Sequence, residues 1–198
     1  MYSWGIPMIE EEKLRRAIEA HLETAEEFIR QGQRQRAFLE FENAAVKLET
    51  AEKIDQLEQL WGHAATGFTA AEAPFQAGTS YLRLADLEAQ AGRKEAARES
   101  YLAAANSFFS VREKNQELWT SITQAVEKAI DLSIDLEDVS LAIELLYKNA
   151  TIHQRETGFV FDAINNLERA QQLLEKEPNH SLAQEIEEKL QELIDHQT

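Results

Sequence analysis

Apolar positions recur with helical spacing along almost the whole chain, and at three places the spacing repeats in register. Gly32 is followed by Ala37, Phe41 and Ala44, Gly92 by Ala97, Tyr101 and Ala104, and Gly158 by Ala163, Leu167 and Ala170. Each set stands five, nine and twelve residues after its glycine, which places a small, a large and a small side chain on one helical face. The alanines let a neighbouring helix approach closely, and the bulky residue between them fills the hollow in that neighbour. One hairpin cannot bury such a face alone, so the pattern predicts stacked helix hairpins.

The same periodicity predicts nine helices. The first starts near Ile9, where Glu10, Glu11 and Glu12 oppose the positive helix end, and stops at Gly32. Its buried stripe is Leu14, Ile18, Leu22, Ala25 and Phe28. A second helix runs to about Lys53 and a third from Asp55 to Glu72, carrying Leu57, Leu60, Trp61, Ala64, Ala65 and Phe68. Pro74 opens a fourth, Gly92 separates it from a fifth on Ala97, Tyr101, Ala104 and Phe108, and a sixth follows on Leu118, Ile122, Val126 and Ile130. The seventh begins at Val139 after the acidic corner Asp135 to Asp138, the eighth follows Gly158, and the ninth follows Pro178 and Asn179.

One helix per 22 residues, with connections of a few residues, makes successive helices antiparallel. The expected fold is all-α: an antiparallel helix-hairpin solenoid of about nine helices forming a single domain over residues 9–198, preceded by a tail over residues 1–8. The separations of 60 and 66 residues between the three glycines each span about three helices. The helix period is therefore clearer than any hairpin period.

Composition agrees and narrows the function. Seven glycines and three prolines in 198 residues leave the helices uninterrupted, and there is no cysteine to form a disulfide, a thiol nucleophile or a thiolate metal ligand. No run approaches the roughly 18 to 20 apolar residues of a membrane span, so a soluble cytoplasmic protein is expected. The net charge of −16 argues against nucleic acid, whose phosphates need a basic stripe. Protein partners with basic, apolar or mixed surfaces remain.

Candidate chemistry is sparse. His21, His63, His153, His180 and His196 show no zinc-ligand spacing, and no phosphate loop, nucleophile elbow or shielded carboxylate pair is visible. The expectation is a non-enzymatic chain without cofactor or metal. Surface pairs such as Glu95 with Arg98 and Glu185 with Lys189 are read as local helix pairs, and Trp61, Trp119 and Phe108 as core. Tyr2 and Trp4 sit in the tail, where they either cap the first hairpin or dock on a partner or a membrane surface. The first of these is favoured.

The stretch YLRLADLEAQAGRKEAARESYLAAANSFF, Tyr81 to Phe109, resembles a tetratricopeptide-type hairpin. The longer helices, with the phrases AARESYLAAANSF and DAINNLERAQQLLEKE, resemble most the SNAP family of soluble attachment proteins. That resemblance implies a right-handed helical superhelix and an adaptor for vesicle transport or complex disassembly. It would bind a helical bundle through basic residues and an AAA ATPase through acidic and leucine residues at its C-terminal end. Carried over by position, the candidates for bundle binding are Arg30, Arg34 and Arg36 at one corner and Arg93, Lys94 and Arg98 at another, which an antiparallel count puts on opposite edges. At the C-terminal end the counterparts for the ATPase are Leu193 and Asp195, and Glu187, Glu188 and Glu192 are candidates through the acidic field they make there. The alternative from another class is a regulatory or sensor domain that holds a small ligand or peptide in a concave groove lined by convergent polar residues.

Overall fold

The computed structural model describes residues 6–196, with side chains from Glu10 onward. Among these residues there are nine α-helices and no strand: α1 (Ile6–Arg30), α2 (Arg34–Thr50), α3 (Ile54–Ala70), α4 (Pro74–Gln90), α5 (Lys94–Phe109), α6 (Gln116–Asp135), α7 (Val139–Ile152), α8 (Val160–Leu174) and α9 (Ala183–Asp195). A single π-helical turn, His153–Thr157, extends α7. Each helix packs on the next in sequence, which is the antiparallel solenoid expected. The first helix begins at Ile6, three residues before the Ile9 expected.

The turns explain the period. Gly32, Gly92 and Gly158 are left-handed, with φ of 73°, 74° and 72°, and so are Glu52, Glu72 and Glu137, with φ of 55°, 51° and 58°. The residue after each of the first five of these in chain order closes the old helix and opens the new one. Gln33 N–H donates to Phe28 C=O at 2.8 Å, and Gln33 C=O accepts from Ala37 N–H at 3.0 Å. The same paired bonds recur at Lys53, Ala73, Arg93 and Asp138. This is the Schellman closure, which satisfies carbonyls that a helix end would otherwise leave orphaned.

Aligned on these six turns, the repeat is one helix long. The position nine residues after the left-handed residue is Phe41, Trp61, Tyr81, Tyr101, Leu146 or Leu167, always a large side chain. The position five after it is Ala37, Leu57, Ala77, Ala97, Ala142 or Ala163, each less than 3% exposed. Glutamates at three of the turns hide half of the repeats from a search for glycine. They also end α2 and α3 at Thr50 and Ala70, two or three residues earlier than the apolar pattern suggests.

Two apolar clusters meet in α4. Ala77 belongs to the N-terminal one with Phe41, Leu48, Trp61 and Phe68, and Ala85 to the C-terminal one with Tyr101, Phe108, Ile122, Ile130, Leu146 and Leu167. End helix α1 is covered on one side only, so Ile18 and Ala25 are buried while Leu14, Leu22 and Phe28 are half-buried. Trp119, expected in the core, is also half-buried and meets Phe109 edge-on at 5.4 Å. Trp61 and Phe108 are buried as expected, at 4% and 2% exposure.

Candidate functional site

Ion pairs and hydrogen bonds about forty residues apart join alternate helices. On α4, α6 and α8, Asp86 Oδ1 receives Lys128 Nζ at 2.6 Å, while Arg169 donates to Glu127 at 2.8 Å and to Asp131 at 3.1 Å. On the other layer, His63 meets Glu26 at 3.2 Å and Lys189 donates to Thr151 at 3.0 Å. Local pairs of the kind expected line α1, as in Arg15 with Glu12 and Glu19, but the two named cations, Arg98 and Lys189, pair at longer range. Arg98 reaches Asp138 at 2.8 Å across the next corner, and Lys189 spans α9 to α7.

The two basic corners lie on opposite edges and have different chemistry. At the α1–α2 corner Arg30 pairs with Glu27 at 2.7 Å, Arg34 donates to the Ala71 carbonyl at 3.3 Å, and Arg36 donates to Gln33 at 2.8 Å and lies 5.9 Å from the Phe28 ring centroid. Two of these three guanidiniums have neutral partners, so their charge is not paired with a carboxylate. At the α4–α5 corner Arg93 pairs with Glu58, Lys94 with Asp135 at 2.8 Å, and Arg98 with Asp138. Each cation there meets a carboxylate, and the corner fastens helices together.

Helix α9 is strongly one-sided. Ile186, Leu190 and Leu193 face inward at 0%, 8% and 4% exposure, whereas Glu185, Glu187, Glu188, Glu192 and Asp195 are exposed. Of the C-terminal candidates, Leu193 therefore anchors the helix to the core, and the glutamates form its outer face. Tyr2 and Trp4 lie outside the described residues.

A feature the sequence did not reveal is an open groove of about 740 Å3 between α6 and α8, with His153 of the π-turn in its wall. Its walls include Thr123, Glu127, His153, Phe159, Asp162 and Asn166. The His153 ring is 8% exposed and its Nδ1 lies 4.0 Å from Asp162 Oδ2. Burial lowers the imidazole pKa below its ordinary value, against the opposing pull of Asp162 and Glu127. Asn166 is 2% exposed. The only advance signal was polar Asn166 on the buried face of a helix otherwise defined by Ala163, Leu167 and Ala170.

Tyr101 donates to Asp86 at 2.5 Å, and Lys128, which also lines the groove, lies 3.2 Å from the same hydroxyl and 4.9 Å from the ring centroid. Burial and the Asp86 carboxylate push the Tyr101 hydroxyl up to about 12. Among the described residues no three His, Asp or Glu side chains converge as a metal site, and no helix is long and apolar enough to cross a membrane.

A family model described as Soluble NSF attachment protein, SNAP, matches residues 46–197, from the end of α2 through α9. Among curated proteins none matches. Among solved structures, a chain described as "DHF58 filament" is similar over 97% of this chain and 100% of that one, at 15% identity and a TM-score of 0.24.

Proposed function

The chain belongs to the SNAP family, and from that premise we propose that it is an adaptor that links a helical-bundle partner to an AAA ATPase. The family is one of non-enzymatic adaptors, and the acidic outer face of α9 is the observation that carries the finer reading. Its apolar side is consumed by the core, so Glu187, Glu188 and Glu192 are held on a rigid helix at the end of the solenoid, where a basic ATPase surface can meet them. The bundle partner, acidic by the same analogy, docks at the opposite end of the chain, on the corner of Arg30, Arg34 and Arg36, where two of the three guanidiniums have no carboxylate partner. Arg93, Lys94 and Arg98 contribute through the geometry of the second corner, and the aromatic tail with Tyr2 and Trp4 is a further contact for a partner or a membrane surface.

The test is association kinetics between the chain and a hexameric AAA ATPase of the kind SNAP proteins recruit. Reversal of Glu187, Glu188 and Glu192 to Lys slows association and leaves the helical circular dichroism intact. Raising salt from roughly 50 to 300 mM slows the native chain, because exposed charges are screened over that range. Binding indifferent to both changes defeats the reading.

A second reading, a regulatory or sensor domain that binds a small ligand or peptide, is favoured by the convergent polar groups between α6 and α8. A small molecule that co-purifies with the chain and resists dialysis, detected by native mass spectrometry, would support it over the adaptor.

A further inference from the structure

Although acidic residues outnumber basic ones by 36 to 20, three cations gathered at the end of α7 have no carboxylate partner among the described residues: Lys148, Arg155 and Lys189. Lys189 Nζ donates to Thr151 Oγ1 at 3.0 Å, and Thr151 gives its own proton to the Tyr147 carbonyl, also at 3.0 Å. Carboxylates close by are engaged otherwise, Glu185 by the Tyr147 hydroxyl and Glu188 by Gln184 at 2.7 Å. Burial lowers the Lys189 pKa and the Arg155 charge lowers it further, against the pull of Glu192 and Glu185, so the two cations feel each other. The negative end of a helix accounts for one cation in its last turn, but not for three around one threonine.

Lys148 and Arg155 also line an open pocket of about 380 Å3 where the end of α5 meets α7 and the π-turn. Its inner wall is apolar: Ile152 is 4% exposed, and Phe109 and Tyr147 are half-buried. Its rim is charged, since Lys148, Arg155 and Glu156 are exposed. Lys148 Nζ lies 5.6 Å from the Phe109 ring centroid and rests on that ring rather than on an anion. Two cations thus stand against one carboxylate at the rim of an aromatic pocket. Arg155 itself belongs to the π-helical turn, an irregularity frequent at functional sites.

From this arrangement we propose that the pocket binds a phosphorylated tyrosine of a partner polypeptide, its ring against the apolar wall and its phosphate between Lys148 and Arg155. A phosphate monoester carries close to two negative charges and three acceptor oxygens, enough for an ammonium and a forked guanidinium at once. Seven residues of helical rise set the two cations about 10 Å apart along the axis, a gap that two long side chains close on one phosphate. Lys189, behind Thr151, adds field rather than contact. A carboxylate side chain has one charge and two oxygens, and it leaves the aromatic wall uncovered. The proposal rests on neither functional reading given above.

The test uses the full-length chain, 15N-labelled, titrated with N-acetyl-phosphotyrosine amide while the backbone amides of Lys148, Thr151 and Arg155 are followed by NMR. Saturable shifts with a Kd of about 0.5 to 5 mM are expected, the range open to one side chain without the rest of a partner. N-acetyl-tyrosine amide gives none, and N-acetyl-phosphoserine amide, which lacks the ring, binds about 5-fold more weakly. Lys148→Gln and Arg155→Gln, both at the surface, each weaken the probe about 5-fold, whereas Glu156→Gln, which removes the opposing charge, tightens it about 2-fold. No saturable shift up to about 20 mM, equal binding of the phosphoserine probe, or a Kd unchanged in either Lys148→Gln or Arg155→Gln overturns the proposal. So does capture by vesicles containing phosphatidylinositol phosphates without a response to the phosphotyrosine probe, which gives the cations to a lipid surface instead.

Discussion

The Phe108 ring of α5 lies directly on the α-carbon of Gly78 in α4, so close that a Cβ at position 78 would stand 2.6 Å from two of its ring atoms. This contact sits at the junction of the two core clusters, where α4 and α5 pack through Ala77, Ala85, Ala97 and Ala104. Phe108 is 2% exposed and also meets Phe75 at 6.0 Å, so the ring has little room to retreat.

Gly78→Ala therefore destabilises the fold by about 1 to 3 kcal/mol, the usual cost of overpacking. Trimming the ring in a Gly78→Ala, Phe108→Leu double variant recovers part of that loss, which a double-mutant cycle in urea measures. Ala104→Leu, on the same interface at 0% exposure, costs a similar amount. Unchanged midpoints in both single variants would contradict this close approach.

The left-handed glutamates give a prediction of opposite sign. Glu52 is exposed at φ 55°, a conformation that costs an L-residue roughly 1 to 2 kcal/mol and glycine very little. Glu52→Gly is expected to stabilise by about 0.5 to 1 kcal/mol, once the greater freedom of glycine in the unfolded chain is subtracted. Gly92→Ala, at φ 74° with open space around the missing Cβ, is expected to lose about the same. Thermal melts of the two variants should move in opposite directions.

Structural and binding roles of the two basic corners separate by mutation. Asp138 both caps α7, accepting Leu141 N–H at 3.3 Å, and holds Arg98. Asp138→Ala therefore costs about 1 to 2 kcal/mol through the lost cap and a partly buried guanidinium left alone. Arg30→Glu, Arg34→Glu and Arg36→Glu together change stability by less than about 0.5 kcal/mol per residue, as exposed surface positions do. The same triple change abolishes capture of an acidic helical bundle if that corner is the docking site, as a pull-down at low salt will show.

Alkaline titration probes the Tyr101, Asp86 and Lys128 cluster. The folded Tyr101 hydroxyl ionises at about 12 against an ordinary value of 10.0. Between these values the folded chain holds a proton that the unfolded chain has lost. The contribution is whole below pH 10 and disappears as the pH rises through about 12, so stability falls across that window. Tyr101→Phe removes this part of the slope, and ultraviolet titration of the native protein shows a tyrosine ionising near pH 12 that the Phe variant lacks.

The amphipathic pattern by itself determined the all-helical class, the antiparallel order and most of the core, because a stripe at 3.6-residue spacing can be buried in few other ways. Ala37, Phe41, Ala97, Tyr101, Ala163 and Leu167 could be read as buried for that reason, and all are at 3% exposure or less. The acidity of the last helix was equally legible. The full set of turns was not, since Glu52, Glu72 and Glu137 take a conformation that their side chains disfavour and that the tertiary packing of the flanking helices enforces. Tertiary structure also decided the charge pairs between helices: Arg98 and Asp138 are 40 residues apart, and only stacking of alternate helices brings them to 2.8 Å. The groove belongs to the same class, because Thr123 of α6 and His153 of the π-turn meet Asp162 and Asn166, one turn apart on α8, only where these three elements come together in space.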